Sequence, residues 1–201
     1  IAIGMHLCYK NAKDLADEAK LLRNNDHYAR AFSLTILGLE EIGKIPLICN
    51  MILYKKDDIE SWRKFWKDFQ THQIKLGVWT VYGKRILYAI GKDYEAKLPS
   101  GLEPLVDKFK QIGFYVSFFK GQFLFPEDFA KDNKKWLDYF LKILEERVIR
   151  FSPYHGSPEN SEKFINNGIE FFTRVRGAKT MDEIEKVLTD WISQRGMRQD
   201  N

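Results

Sequence analysis

Apolar and polar residues alternate along most of this chain with the period of an α-helix. In residues 5–23, Cys8, Ala12, Leu15, Ala19 and Leu22 recur at spacings of four and three, with lysines and acids opposite them. That predicts an amphipathic helix whose small residues let a neighbour come close. Asn24, Asn25 and Asp26 break it and offer a cap to the next helix. The next stretch, residues 29–54, is apolar on nearly every side after Arg30, the pattern of a core helix. Yet Glu40, Glu41 and Lys44 stand in its middle. Helical spacing puts Leu34, Leu37, Glu41, Lys44 and Ile48 on one seam, and either glutamate can pair with Lys44. Pro46 removes a backbone donor, which predicts a kink near Ile42–Pro46.

After the polar turn Lys55–Asp58, a third helix is expected from Ile59 to Ile90. Trp62, Phe65, Phe69, His72, Leu76, Trp79, Gly83, Ile86 and Ile90 form its seam, with Lys75 one turn from His72. Residues 91–101 read as a loop, and Ser100 with Glu103 as a capping box opening a short helix through Ile112 that Gly113 ends. Residues 115–125 read as two short aromatic strands around Lys120-Gly121. Pro126-Glu127-Asp128 opens a fourth long helix to about Arg150, and residues 151–158 read as a loop. Ser157 and Pro158 start a helix ending near Val175, and Thr180 with Glu183 caps a last one ending by Gly196. The expected fold is mainly all-α, an antiparallel helical bundle with a small inserted β-hairpin. Residues 1–201 form a single helical domain in this reading. A three-helix half covers 1–90, the hairpin 113–126, and the C-terminal helices 126–197.

Composition narrows the picture. A chain of 201 residues suits one domain. A net charge of +4 permits nucleic acid as a partner without arguing for it. Cys8 and Cys49 sit among apolar residues, as buried free thiols of a reducing cytosol do. No secretory signal is legible, and a cytoplasmic location is expected. A membrane span over 31–53 is disfavoured because each central charge costs ~2.5–3.5 kcal/mol.

The misplaced charges are the candidate chemistry. Glu41 lies ~10 residues before the end of its helix and His72 ~13 after the start of the next, so the two reach similar heights in a hairpin of helices. Glu40, Glu41, Lys44, His72 and Lys75 can therefore meet. In that arrangement His72 is a general base or acid, Glu41 sets its tautomer, and Lys44 or Lys75 holds a phosphate. The competing reading is a buried polar network that fixes helix register. A di-metal carboxylate site needs repeated Glu-x-x-His pairs. Glu41-x-x-Lys44 supplies neither the histidine nor a second copy, so no metal or cofactor is expected. The line Trp62, Phe65, Trp66, Phe69 and Trp79 reads as core. Phe118, Phe119, Phe123 and Phe125 cannot all bury against one hairpin, which predicts a protein-contact surface for either a second copy of the chain or another protein.

The run Tyr28-x-Arg30-Ala31-x-x-Leu34-x-x-Leu37-x-x-Glu40-Glu41-x-Gly43-Lys44 resembles the signature of the AbiV abortive-infection family. Phe69-x-x-His72-x-x-Lys75 resembles its second motif, and Gly113-Phe-Tyr115-Val116…Gly121…Pro126-Glu127 its third, with Ser117 where the family typically shows Asp. These matches span residues 11–130. The resemblance implies a HEPN-like helical fold and a bacterial phage-defence protein that arrests host growth or translation. It also implies a homodimer, a phage-encoded trigger and an RNA substrate, since many HEPN proteins are metal-independent dimeric ribonucleases with an arginine four to six residues before a histidine. Arg150 and His155 fit that motif formally. Four histidines and ten arginines make such a match easy by accident, and Pro153 predicts a loop there. The other functional reading is a non-catalytic protein that inhibits by occupying a host target.

Overall fold

Two long helices, α1 (Ala2–Asn24) and α2 (Tyr28–Asn50), lie against each other and frame the molecule. This is a computed structural model that describes residues 1–72, 74–76, 103–119 and 121–177, together with Glu183, Lys186, Val187, Thr189 and Asp190. α1 buries Met5, Cys8, Ala12, Ala16 and Ala19, and its small side chains allow the close approach that the periodicity implies. Asp26 takes φ 62° in the turn. No side chain of the intervening residues caps α2. The carboxylate of Glu127 does so from far along the chain, accepting from the Tyr28 N–H at 2.7 Å and the Ala29 N–H at 3.2 Å. Those donors have no partner inside the helix, and an acid at this end also suits the helix dipole.

α2 is the core helix that its composition predicts. Ala31, Phe32, Ile36, Leu39, Ile42 and Ile45 are buried, as are Ser33 and Thr35. The Thr35 hydroxyl donates to Ala31 O at 2.8 Å, and the Ser33 hydroxyl reaches Lys110 O at 2.8 Å. The helix runs on through Pro46 to Asn50, and a short 3-10 turn (Met51–Leu53) follows it. Leu34, Leu37, Glu41 and Lys44 form its half-buried side.

α3 covers Ile59–Gln70, capped by Asp58 on the Ser61 N–H at 3.1 Å. The helix expected to run unbroken to residue 90 stops here. Thr71 is extended, with φ −83° and ψ 114°, and its hydroxyl donates back to Lys67 O at 2.7 Å. Thr71 O then accepts from the Lys75 N–H at 3.3 Å, so a new helical segment starts with His72 in it. Residues 77–90 of the expected helix, Trp79, the 91–101 loop, Ser100 and Thr180 lie outside the described residues. Of the aromatic line, Phe65 is buried, whereas Trp66 is 53% exposed and is not core.

α4 (Glu103–Phe114) leads into β1 (Ser117–Phe119) and β2 (Gln122–Leu124), an antiparallel pair with Phe118 opposite Phe123. Gly121 turns the hairpin at φ 81°, where a side chain would be strained. The expected fourth helix is two: α5 (Pro126–Asp132) and α6 (Lys134–His155). Asn133 separates them, its amide donating to Phe129 O at 2.8 Å. α6 does not end at Arg150 as expected but continues through Pro153. A proline so near a helix end removes only one bond, and the Gly156 N–H closes the last turn on Ser152 O at 2.8 Å. α7 spans Pro158–Gly177, with Ser157 Oγ accepting from the Asn160 N–H at 3.2 Å as the sequence implies. Among the described residues no helix is long and apolar enough to cross a membrane. The two cysteines are free and buried, and burial first pushes both thiols up to about 12. For Cys8 the neighbouring Glu41 adds to the rise.

Candidate functional site

Three pieces of backbone converge on Glu40. α2 carries it on its buried face, 3% exposed. α4 brings Asp107 and Lys110, and the segment after Thr71 brings His72 and Lys75. Two glycines permit the approach. A Cβ on Gly43 would stand 2.0 Å from Lys75 O, and one on Gly113 would stand 2.2 Å from Ser33 Oγ. Only hydrogen at these positions lets both neighbours lie against α2.

Glu40 Oε1 accepts from Lys110 Nζ at 2.7 Å. Its Oε2 lies 2.6 Å from His72 Nδ1 and 3.7 Å from Lys75 Nζ. Lys110 Nζ also stands 2.9 Å from Asp107 Oδ1, a Coulombic contact without hydrogen-bond alignment. Burial alone makes each of these charges expensive, and mutual pairing is what makes them tolerable. Burial pulls Lys75 below its usual pKa, and the attraction of Glu40 only partly opposes it. Burial also pulls on Lys110, but its hydrogen bond to Glu40 and the nearby Asp107 carboxylate outweigh that, and its pKa is raised.

His72 differs from the rest, because its side chain is 51% exposed. A carboxylate can only accept, so the Nδ1 facing ionised Glu40 carries a proton and donates it. The 3.2 Å approach of Lys110 Nζ to the same Nδ1 is then a close contact and not a second hydrogen bond. In neutral His72 this leaves Nε2 with its lone pair free to accept. An imidazole whose outer nitrogen is a base and whose inner nitrogen is fixed by a carboxylate is arranged for proton transfer. Glu40 and Asp107 cancel Lys75 and Lys110 in formal charge, so protonated His72 leaves the cluster at +1.

The sequence-predicted residues divide into two groups. Glu40, His72 and Lys75 meet. Glu41 and Lys44 pair with each other at 2.5 Å on the half-buried side of α2, with Lys44 Nζ 5.4 Å from the Phe69 ring centre. Glu40, and not Glu41, sets the His72 tautomer. Asp107 and Lys110 escaped the sequence reading, although a signal was there. Lys110 falls four residues after Val106 and three before Gly113, both buried, so it interrupts an apolar line as Glu40 does.

Arg150 and His155 both lie on α6, not in the expected loop. His155 is only 2% exposed, with Nδ1 3.1 Å from Ser161 Oγ, and its main-chain oxygen accepts from His6 Nδ1 at 2.9 Å. Burial, with His6 adding to it, pushes His155 down to about 4. That side chain is neutral and sealed. Among the described residues Glu40, His72 and Asp107 are grouped as metal ligands would be, their donor atoms within 4.8 Å of one another. Lys110 Nζ already lies 2.7, 3.2 and 2.9 Å from those three. The cation in this cradle is the chain's own ammonium, and a metal ion fits only if Lys110 swings out.

A family model described as AbiV, of the HEPN type, matches residues 1–145. The match takes in Glu40, His72, Lys75, Asp107 and Lys110 and stops short of Arg150 and His155. No curated protein and no solved structure matches the chain.

Proposed function

The chain belongs to the AbiV family of HEPN proteins, and from that premise we propose that it is an abortive-infection effector that arrests host growth or translation by cutting RNA. The observation that supports this reading is the half-exposed His72 ring held at Nδ1 by buried Glu40, 2.6 Å away. In the proposed step His72 Nε2 takes the proton of a ribose 2′-hydroxyl. The 2′ oxygen then attacks the adjacent phosphorus and the bond to the 5′ oxygen breaks. The imidazolium returns the proton to that leaving oxygen. The products are a 2′,3′-cyclic phosphate and a 5′-hydroxyl end. Lys44, on the half-buried side of α2, is assigned to the substrate phosphate, while Lys75 and Lys110 hold Glu40 in place beside His72. The protein acts in the cytoplasm, and a phage-encoded protein sets it off.

Sequencing of RNA ends in a bacterial host challenged with phage tests the proposal. New 5′-hydroxyl ends appearing in a chain-dependent manner are expected. Their absence from every RNA class would favour the second reading, a non-catalytic inhibitor of a host target. That reading draws on the burial of Glu40, Lys75 and Lys110, each under 8% exposed, since a sealed network serves equally to fix helix register.

A further inference from the structure

Trp66 stands half in water beside the candidate site, 53% exposed. Glu40 and Lys44 are one turn apart on α2 and so are neighbours on its surface. His72 docks on the first, and the Phe69 ring centre lies 5.4 Å from the Nζ of the second. Trp66 packs against Phe69 in turn, with ring centres 6.0 Å apart. His72, Lys44, Phe69 and Trp66 therefore follow one another across a single patch. Along the chain the helix rises ~6 Å from Trp66 to Gln70, and the extended step through Thr71 adds at most ~7 Å. At ~3.4 Å for each stacked nucleotide, that is the span of a few nucleotides.

The indole is also held in place. Phe65 meets it with ring centres 5.0 Å apart at 71°, and Phe69 meets it at 82°, both edge contacts. Neither ring is parallel to the indole, so neither takes the place of a flat, stacked ring. Charge beside it suits a phosphate backbone. Arg63 and Lys64 are tied to Glu60 and Asp68, but exposed Lys67, the next residue, pairs with no acid among the described residues. We propose, building on the RNA-cutting reading, that Trp66 is a base-stacking residue of this site. An unpaired RNA base lies on the indole, and the phosphates beside it reach Lys44 and Lys67. Every base has a π face, so such a platform aligns the strand at His72 without reading its sequence. A base inside a duplex has both faces covered by its neighbours, so the platform selects unpaired nucleotides.

Fluorescence anisotropy with a short 2′-O-methyl oligouridine measures binding by the full chain, since the blocked 2′ oxygen cannot attack. Wild type is expected to bind it. Trp66→Ala should weaken binding ~10-fold or more, the loss that one base–aromatic stack carries, and Trp66→Phe should recover most of it. An abasic strand of the same length should bind wild type and Trp66→Ala alike, which a merely structural role for Trp66 would not produce. Trp136→Leu, on α6, is the control and should bind oligouridine as wild type does. Equal affinity of Trp66→Ala and wild type for oligouridine would overturn the proposal and leave the nuclease reading standing. A Trp66→Ala loss that persists on the abasic strand, or an equal loss in Trp136→Leu, would overturn it in the same way. Failure of wild type to bind either strand would overturn both.

Discussion

Replacing Lys110 by Met keeps the length of the side chain and removes the ammonium on which buried Glu40 and half-buried Asp107 converge. Lys110 lies 2.7 Å from Glu40 Oε1 and 2.9 Å from Asp107 Oδ1, with its side chain only 9% exposed. Removing one member of a buried ion pair costs about 3–5 kcal/mol, because the other charge stays behind. Glu40 would keep His72 at 2.6 Å and Lys75 at 3.7 Å, and Asp107 is nearer solvent, so the lower end, ~3 kcal/mol, is expected. That is a large share of the ~5–15 kcal/mol that holds a domain together. Urea unfolding followed by circular dichroism measures it. With an m-value of ~2 kcal/mol/M the midpoint should fall by about 1.5 M. Glu40→Gln in the same chain should then cost less than the two single changes added together, by at least ~1 kcal/mol. A loss below ~1 kcal/mol for Lys110→Met, or strict additivity in the pair, would refute the pairing argument.

Two further changes probe the surroundings. Gly43→Ala places a methyl 2.0 Å from Lys75 O, where backbone must move. A thermal melt should show ~1–3 kcal/mol of destabilisation, growth arrest should fall with it, and a neutral outcome would contradict the close approach that positions His72. For His155 the folded pKa of about 4 lies below the ordinary 6.5. Between those values the unfolded chain binds the extra proton, so stability is full above pH 6.5 and lost as pH falls toward 4. The loss amounts to ~3 kcal/mol. His155→Gln should flatten urea-midpoint profiles over that window, and an unchanged slope would place the titration elsewhere.

The helical frame was legible because its signals are local. Small residues at helical spacing marked the buried side of α1, and Ser157-Pro158 marked the start of α7. What periodicity does not carry is a change of aim. Thr71 falls within the stretch that the spacing predicts as one continuous helix, yet its backbone is extended, with ψ 114°, and α3 ends there. Pro153 misled in the opposite direction, since a proline in a final turn leaves most of the helix intact. The site shows the same limit. Charges inside an apolar helix pointed to Glu40, but which of two adjacent glutamates faces inward depends on where α4 docks. That docking rests on Gly113 meeting Ser33 and Ala29, a contact across 80 residues that no local spacing encodes. The cap that Glu127 supplies to Tyr28 and Ala29 is hidden for the same reason.

The central claim is that the exposed imidazole, and not the buried network beneath it, does the work. His72→Gln tests it most directly, because a glutamine amide can still donate to Glu40 while losing the titratable nitrogen. Growth of phage-challenged hosts carrying wild type or the variant is the measurement, with thermal melts confirming equal folding. The account predicts that the variant folds normally and no longer arrests growth. Undiminished arrest by a fully folded His72→Gln chain would contradict it.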